Sequence, residues 1–89
     1  MHRGDVYRLI SEERTYQDNL DSSRTDGHLH SVGEELLLLE GYLRKATALW
    51  VDRPGDTLAL DGIRKVAAIA VRCMENHGAP ARGRYITHK

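Results

Sequence analysis

The chain has 89 residues, in which 13 lysines and arginines balance 13 aspartates and glutamates. This length allows one domain, and the neutral balance argues against a generic nucleic-acid binder and against electrostatic docking to an anionic membrane. The single cysteine excludes an intramolecular disulfide, and no apolar run reaches the ~20 residues of a membrane span. Because no apolar leader is evident at the start, we expect a cytoplasmic protein.

The first predicted helix covers about residues 6–18. Asp5 suits its N-cap, because a carboxylate can accept hydrogen bonds from the amides of a first helical turn. The residues Val6, Leu9, Ile10 and Tyr16 of this segment form one narrow face, so we expect the helix to lie against the others rather than at the centre. Residues 19–30 are rich in turn formers and are predicted to form a loop.

The second predicted helix covers about residues 32–51. Ser31 and Glu34 have the spacing of a capping box, in which each side chain binds the backbone amide of the other residue. Apolar residues then recur at three- and four-residue steps and form one stripe along the helix. Trp50, at the end of that stripe, is expected to close the core. The stripe consists of Val32, Leu36, Leu39, Leu43, Ala46 and Trp50.

The third predicted helix covers about residues 57–77. Asp56 is expected to cap its start, and Gly78 followed by Pro80 is a strong stop signal. The short connection at residues 53–56 predicts that the second and third helices form an antiparallel hairpin. We therefore predict an all-α fold, with residues 1–78 as a single helical domain and residues 79–89 as a basic, flexible tail.

Both long helices carry more apolar surface than a three-helix monomer can cover. Residues 66–71 are all apolar and run round the whole helix, and the four consecutive leucines at 36–39 pose the same problem. The sequence therefore predicts an oligomeric helical bundle, most often a two-fold dimer. The alternative is that the first helix covers the surplus.

Glu35 is the leading candidate site residue, because helical spacing places its carboxylate within the apolar stripe, near Tyr42. A carboxylate there must be paired, hydrogen-bonded or protonated. One interpretation is a ligand-binding, metal-binding or acid/base carboxylate, with Glu34 and Tyr42 nearby. The other is a partly exposed residue that uses the dipole of the first helical turn.

Two further groups of residues could bind ligands. His28 and His30 precede the second helix and, with the carboxylates of Glu34 and Glu35 that follow, could hold a transition metal; the alternative is a solvated loop. Arginine side chains in the loop and the tail could bind phosphate in a bidentate manner, or could simply be solvated surface charges. These arginines are Arg24, Arg82 and Arg84.

Residues 13–18, 33–40 and 63–75 together resemble small helical proteins common in phages and prophages. Those proteins are distantly similar to the MazG-like, all-α nucleoside triphosphate pyrophosphohydrolases. The resemblance implies magnesium held by a Glu-x-x-Glu on one helix and a Glu-x-x-Asp on the next. The resemblance matches Glu34 or Glu35 and Asp61 to single positions of these motifs, as candidate metal ligands. Leucines stand three residues after Glu34 and Glu35, and Arg64 stands three residues after Asp61, so the paired acids are missing.

Two functions are therefore predicted. The first is a non-catalytic, oligomeric helical binding protein of phage type, without a cofactor, that acts on a host protein or on a small nucleotide. The alternative is a reduced MazG-like pyrophosphohydrolase that uses Mg²⁺ at a site completed across the subunit interface.

Overall fold

The computed structural model describes residues 1–21 and 29–83 of the chain. These residues form three α-helices and contain no strand, which confirms the predicted all-α class for this part of the chain. Helix α1 spans Arg3–Asp21, α2 spans Val32–Asp52 and α3 spans Thr57–His77. The bounds of α2 and α3 lie within one residue of those predicted, whereas α1 extends beyond 6–18 at both ends.

Helix α1 begins before the residue that was expected to cap it. Asp5 lies inside the first turn, so its assignment as the N-cap was wrong. Its carboxylate accepts a hydrogen bond from the backbone amide of His2 at 3.3 Å and lies where the helix dipole favours negative charge. At the other end, residues 19–21 continue the helix instead of starting the predicted loop, of which residues 22–28 lie outside the described part.

Helix α2 begins with the predicted capping box. The Ser31 hydroxyl accepts a hydrogen bond from the Glu34 amide at 3.1 Å, and the Glu34 carboxylate accepts one from the Ser31 amide at 2.8 Å. Two amides of the first turn region are thereby satisfied. This local pattern explains why the start of α2 was predictable to the residue.

The connection between α2 and α3 differs from the prediction in its side-chain contacts. Asp56 occupies the N-cap position of α3 but makes no capping hydrogen bond. Its carboxylate instead accepts a hydrogen bond from the indole N–H of Trp50 at 3.0 Å. Trp50 is exposed, so the expectation that it closes the core was wrong. Gly78 ends α3 as predicted, with a φ of 103° that favours glycine.

Helix α3 is the central helix, because α1 and α2 both pack against it and the described residues of α1 and α2 do not pack against each other. Helix α2 approaches α3 closely at Gly62, where an added Cβ atom would lie 2.8 Å from the Cβ of Ala46. At the end of α2, Trp50 also contacts Asp56, the residue that precedes α3, through its hydrogen bond.

The hydrophobic core of the described chain is small. Its buried apolar residues are Ala46, Ala59, Ala68 and Ile69, so three of the four are alanines. Many larger apolar side chains remain exposed on α2 and α3, among them Leu36, Leu43, Leu60 and Ile63. Packing of α1 on α3 leaves this surplus uncovered.

None of the helices in the described ranges combines the length and the apolar character needed to cross a bilayer.

Candidate ligand-binding cleft

A cleft of about 280 Å³ lies where α1 and α2 diverge over α3. We refer to it as the α1–α2 cleft. Helix α3 provides its floor, and the other two helices provide its walls. The lining residues are Glu13, Tyr16, Gln17 and Leu20 of α1, His30, Leu38 and Tyr42 from the α2 side, and Lys65, Ile69 and Arg72 of α3.

Two tyrosines line the cleft from different helices, Tyr16 from α1 and Tyr42 from α2. Aromatic faces can stack on a flat ligand group, and the phenolic hydroxyls can donate or accept hydrogen bonds. Tyr42 was predicted to be a ligand-binding residue, and the structure places it in the cleft. Tyr16 was missed, because the sequence pattern assigned it to the packing face of α1; in the structure its side chain is largely exposed.

Below the cleft lies a buried ion pair between α2 and α3. Glu35 is only 1% exposed, and its two oxygens accept hydrogen bonds from Nε and Nη2 of Arg72 at 3.1 and 2.8 Å. The expectation that this carboxylate must be paired is confirmed, and the alternative of a partly exposed residue was wrong. Glu35 does not line the cleft itself, but it fixes the guanidinium of Arg72, which does.

Helix α1 is held in place by two further arginine pairs with α3. Nε and Nη2 of Arg14 donate to the Glu75 carboxylate at 2.7 and 3.2 Å, and Nε of Arg64 donates to Glu13 at 3.1 Å. The hydrogen bond from Arg14 lowers the pKa of Glu75 below its ordinary value. Since Glu13 lines the cleft, the second pair also positions one charged group of its wall.

The cationic part of the floor includes Lys65, whose Nζ lies 3.2 Å from the Asp61 carboxylate. Asp61 also accepts a hydrogen bond from Arg64. Burial opposes ionisation of Asp61, but the hydrogen bonds from Arg64 and Lys65 outweigh it and lower the pKa of this carboxyl group. Asp61, a predicted metal ligand, is therefore neutralised by two cations of its own helix.

His30 lies at the cleft, and its backbone carbonyl accepts a hydrogen bond from Nε2 of His77 at 2.8 Å. Its own Nδ1 lies 3.9 Å from the Glu34 carboxylate, so Glu34 acts in the helix cap and beside this imidazole rather than in the cleft. Within residues 1–21 and 29–83, no three His, Cys, Asp or Glu side chains are grouped so that they could hold a metal ion.

The predicted arginine sites do not meet at the cleft in the described structure. Arg82 is exposed in a turn after α3 and is not a lining residue. Arg24, Arg84 and His28 lie outside the described residues. Of the predicted ligand-binding and metal-binding residues, the structure thus brings Tyr42 and His30 to the cleft, together with Arg72 and Lys65, which sequence reasoning missed.

No protein-family model, curated protein or solved structure matches the chain. The cleft and the exposed apolar surface are therefore the features of the molecule that indicate a function.

Proposed function

We propose that the protein is a self-associating helical binding protein. Its α1–α2 cleft binds a small anion of the nucleotide class, which combines a planar base with a phosphate, and does not catalyse a reaction of it. The observation that carries this proposal is that two tyrosines, Tyr16 and Tyr42, line one cleft together with the cations Lys65 and Arg72. Tyrosine faces suit a base, and lysine and arginine suit a phosphate. The volume lies near the small end of ligand sites, which favours a mononucleotide over a dinucleotide.

The proposal includes an antiparallel α2–α3 hairpin as the scaffold. Its support is that Glu35, near the start of α2, pairs with Arg72 near the end of α3, while Trp50 and Asp56 meet at the other end. Self-association is supported by the small core, because a domain whose described buried apolar residues are three alanines and one isoleucine gains little from burial within one copy.

A reduced MazG-like pyrophosphohydrolase remains the alternative, with Mg²⁺ at a site completed by a second copy. Two of its candidate ligands are engaged elsewhere, since Glu35 is buried against Arg72 and Asp61 is paired with Arg64 and Lys65. Magnesium binding to either carboxylate would displace its cations, whereas a phosphate can add to the cationic side of the Lys65 and Arg72 pairs and leave both pairs intact. This difference favours the non-catalytic function.

The binding proposal is tested by isothermal titration calorimetry of a panel of nucleoside mono-, di- and triphosphates and cyclic nucleotides. Tyr16→Ala should weaken binding of the preferred nucleotide by about 5- to 100-fold, the loss expected from one base–aromatic stack. Tyr7→Ala is the matched control, because Tyr7 is on the same helix and 62% exposed against 58% for Tyr16, but does not line the cleft.

Equal losses in the two tyrosine variants would contradict the cleft as the site. Saturable binding to no member of the panel would contradict the nucleotide class and favour a protein partner. Magnesium-dependent release of pyrophosphate from a nucleoside triphosphate would contradict the non-catalytic function and support the alternative.

A further inference from the structure

We infer that the apolar face of the α2–α3 layer opposite the cleft is the surface on which a second copy of the chain docks. This inference rests on the proposed self-association and names its interface. We call this surface the outer face. Its large side chains are Val32, Leu36, Leu43 and Trp50 of α2 and Leu60, Ile63 and Met74 of α3.

Helical geometry places these residues together. At 100° per residue, the four α2 members fall within an arc of about 40°, and the three α3 members fall within an arc of about 60°. On α2, the outer-face residues lie to one side of the surface that contacts α3. Leu38 and Tyr42, which line the cleft, lie to the other side of that contact surface. The outer face and the cleft therefore occupy opposite sides of the α2–α3 layer.

The outer face is both exposed and uncharged. Its seven large side chains are 46–60% exposed in the single chain. Neither helical arc contains an aspartate, glutamate, lysine or arginine of α2 or α3, although charged residues make up 29% of the sequence. A surface of this kind can be buried without removing an ion from water, as at the centre of a subunit interface.

The size of the outer face matches a second copy. Half-exposure of seven large apolar side chains provides roughly 700 Å², against about 800 Å² per partner in a stable interface of standard size. The face runs along two helices of 21 residues, so each copy presents the same long apolar layer. A two-fold dimer would bury both layers against each other and supply the core that one copy lacks.

The decisive comparison is between two adjacent leucines. Leu36 is 55% exposed and lies on the outer face, whereas Leu37 is 69% exposed and points about 100° away from it. Sedimentation velocity should show that the wild type and Leu37→Glu remain dimeric. Leu36→Glu should raise the dissociation constant of the dimer by about 100-fold or more, because the new carboxylate would be buried in the interface without a partner. Circular dichroism checks that both variants keep their helix content.

A second measurement uses the unaltered protein and so does not depend on the folding of a variant. Trp50 is the only tryptophan of the chain and belongs to the outer face. Its fluorescence emission should shift to longer wavelength as dilution dissociates the dimer, because the indole then returns to water. The shift should follow the same concentration dependence as the sedimentation coefficient.

The outcomes separate the two proposals. A wild-type protein that is monomeric at all concentrations overturns self-association and the interface with it. A dimer that survives Leu36→Glu but dissociates in Leu37→Glu overturns the outer face as the interface and leaves self-association standing. Dissociation on dilution without a change in Trp50 emission has the same consequence.

Discussion

At the scale of single residues, Glu35 determines how α2 meets α3. It is the largest fully buried side chain in the described part of the chain, and both of its oxygens accept hydrogen bonds from Arg72. Glu35→Gln removes the negative charge and leaves the Arg72 guanidinium without its counter-ion. We expect a loss of about 3 kcal/mol in the free energy of unfolding, measured by urea denaturation, because the uncompensated charge stays largely buried.

The neighbouring Glu34 provides the control. Glu34→Gln should change the free energy of unfolding by less than about 0.5 kcal/mol, since glutamine also fits the capping box. The double variant Glu35→Met/Arg72→Met should recover most of the loss, because an apolar pair of similar volume often replaces a buried ion pair without penalty. Equal effects of the two glutamine variants would contradict the role of the pair.

Only the first part of the Glu35–Arg72 pair, the burial of Glu35, could be predicted from the sequence. Helical spacing places Glu35 among apolar residues, and from that the need for a partner follows. The partner itself could not be predicted, because Arg72 is 37 residues away and the pairing depends on how far α2 and α3 slide along each other. Tyr16 was missed because the sequence does not show how α1 is oriented on α3. That orientation decides whether the Tyr16 side chain packs against α3 or lines the cleft.

At the scale of helices, Gly62 permits the close packing of α2 on α3. Alanine usually stabilises a helix interior by about 1 kcal/mol relative to glycine. At Gly62 we expect the opposite sign, a net loss of about 1–2 kcal/mol, because the new methyl group would lie 2.8 Å from the Cβ of Ala46. Thermal unfolding monitored by circular dichroism measures the change.

Gly41 of α2 is the matched control, because a Cβ added there meets nothing within 4 Å. Gly41→Ala should therefore raise the midpoint of thermal unfolding while Gly62→Ala lowers it. Stabilisation by both substitutions would show that the helices can separate at no cost, and the packing described at Gly62 would be wrong.

Helix bounds were predictable where their signals are local. The capping box at Ser31 and the glycine at position 78 act within a few residues, so the ends they define agree with the structure. The start of α1 was misassigned because an aspartate favours both the N-cap and the first turn. The packing order, with α3 at the centre, has no local signal, because it depends on pairs such as Arg14–Glu75 that are 61 residues apart.

At the scale of the whole molecule, acid should loosen α1 from α3. Arg14 lowers the pKa of Glu75 below its ordinary value of 4.5, so the folded protein binds fewer protons than the unfolded chain as pH falls. The pair contributes fully above about pH 4.5, and its contribution disappears as pH falls through the lowered pKa. Because the Glu75 side chain is about half exposed, we expect the contribution to be no more than about 1 kcal/mol.

Glu75→Gln should therefore lower the midpoint temperature of unfolding at pH 7. It should also reduce the decrease of this midpoint between about pH 5 and pH 2. Thermal unfolding at a fixed protein concentration measures both effects. Glu12→Gln makes the same change of charge, but Glu12 pairs with Arg8 inside α1 and links no helices. A steeper acid response in Glu75→Gln than in wild type would contradict the stabilising direction of the Arg14 pair.

The central position of α3 also sets an order of events when the protein is made. A ribosome synthesises α1 and α2 first, and these two helices do not pack against each other in the described structure. Until α3 leaves the exit tunnel, both therefore lack the surface against which they bury apolar side chains, and short isolated helices are marginal in water. Tertiary folding should thus wait until α3 has been synthesised, which leaves the leucine-rich α2 open to chaperones in the meantime.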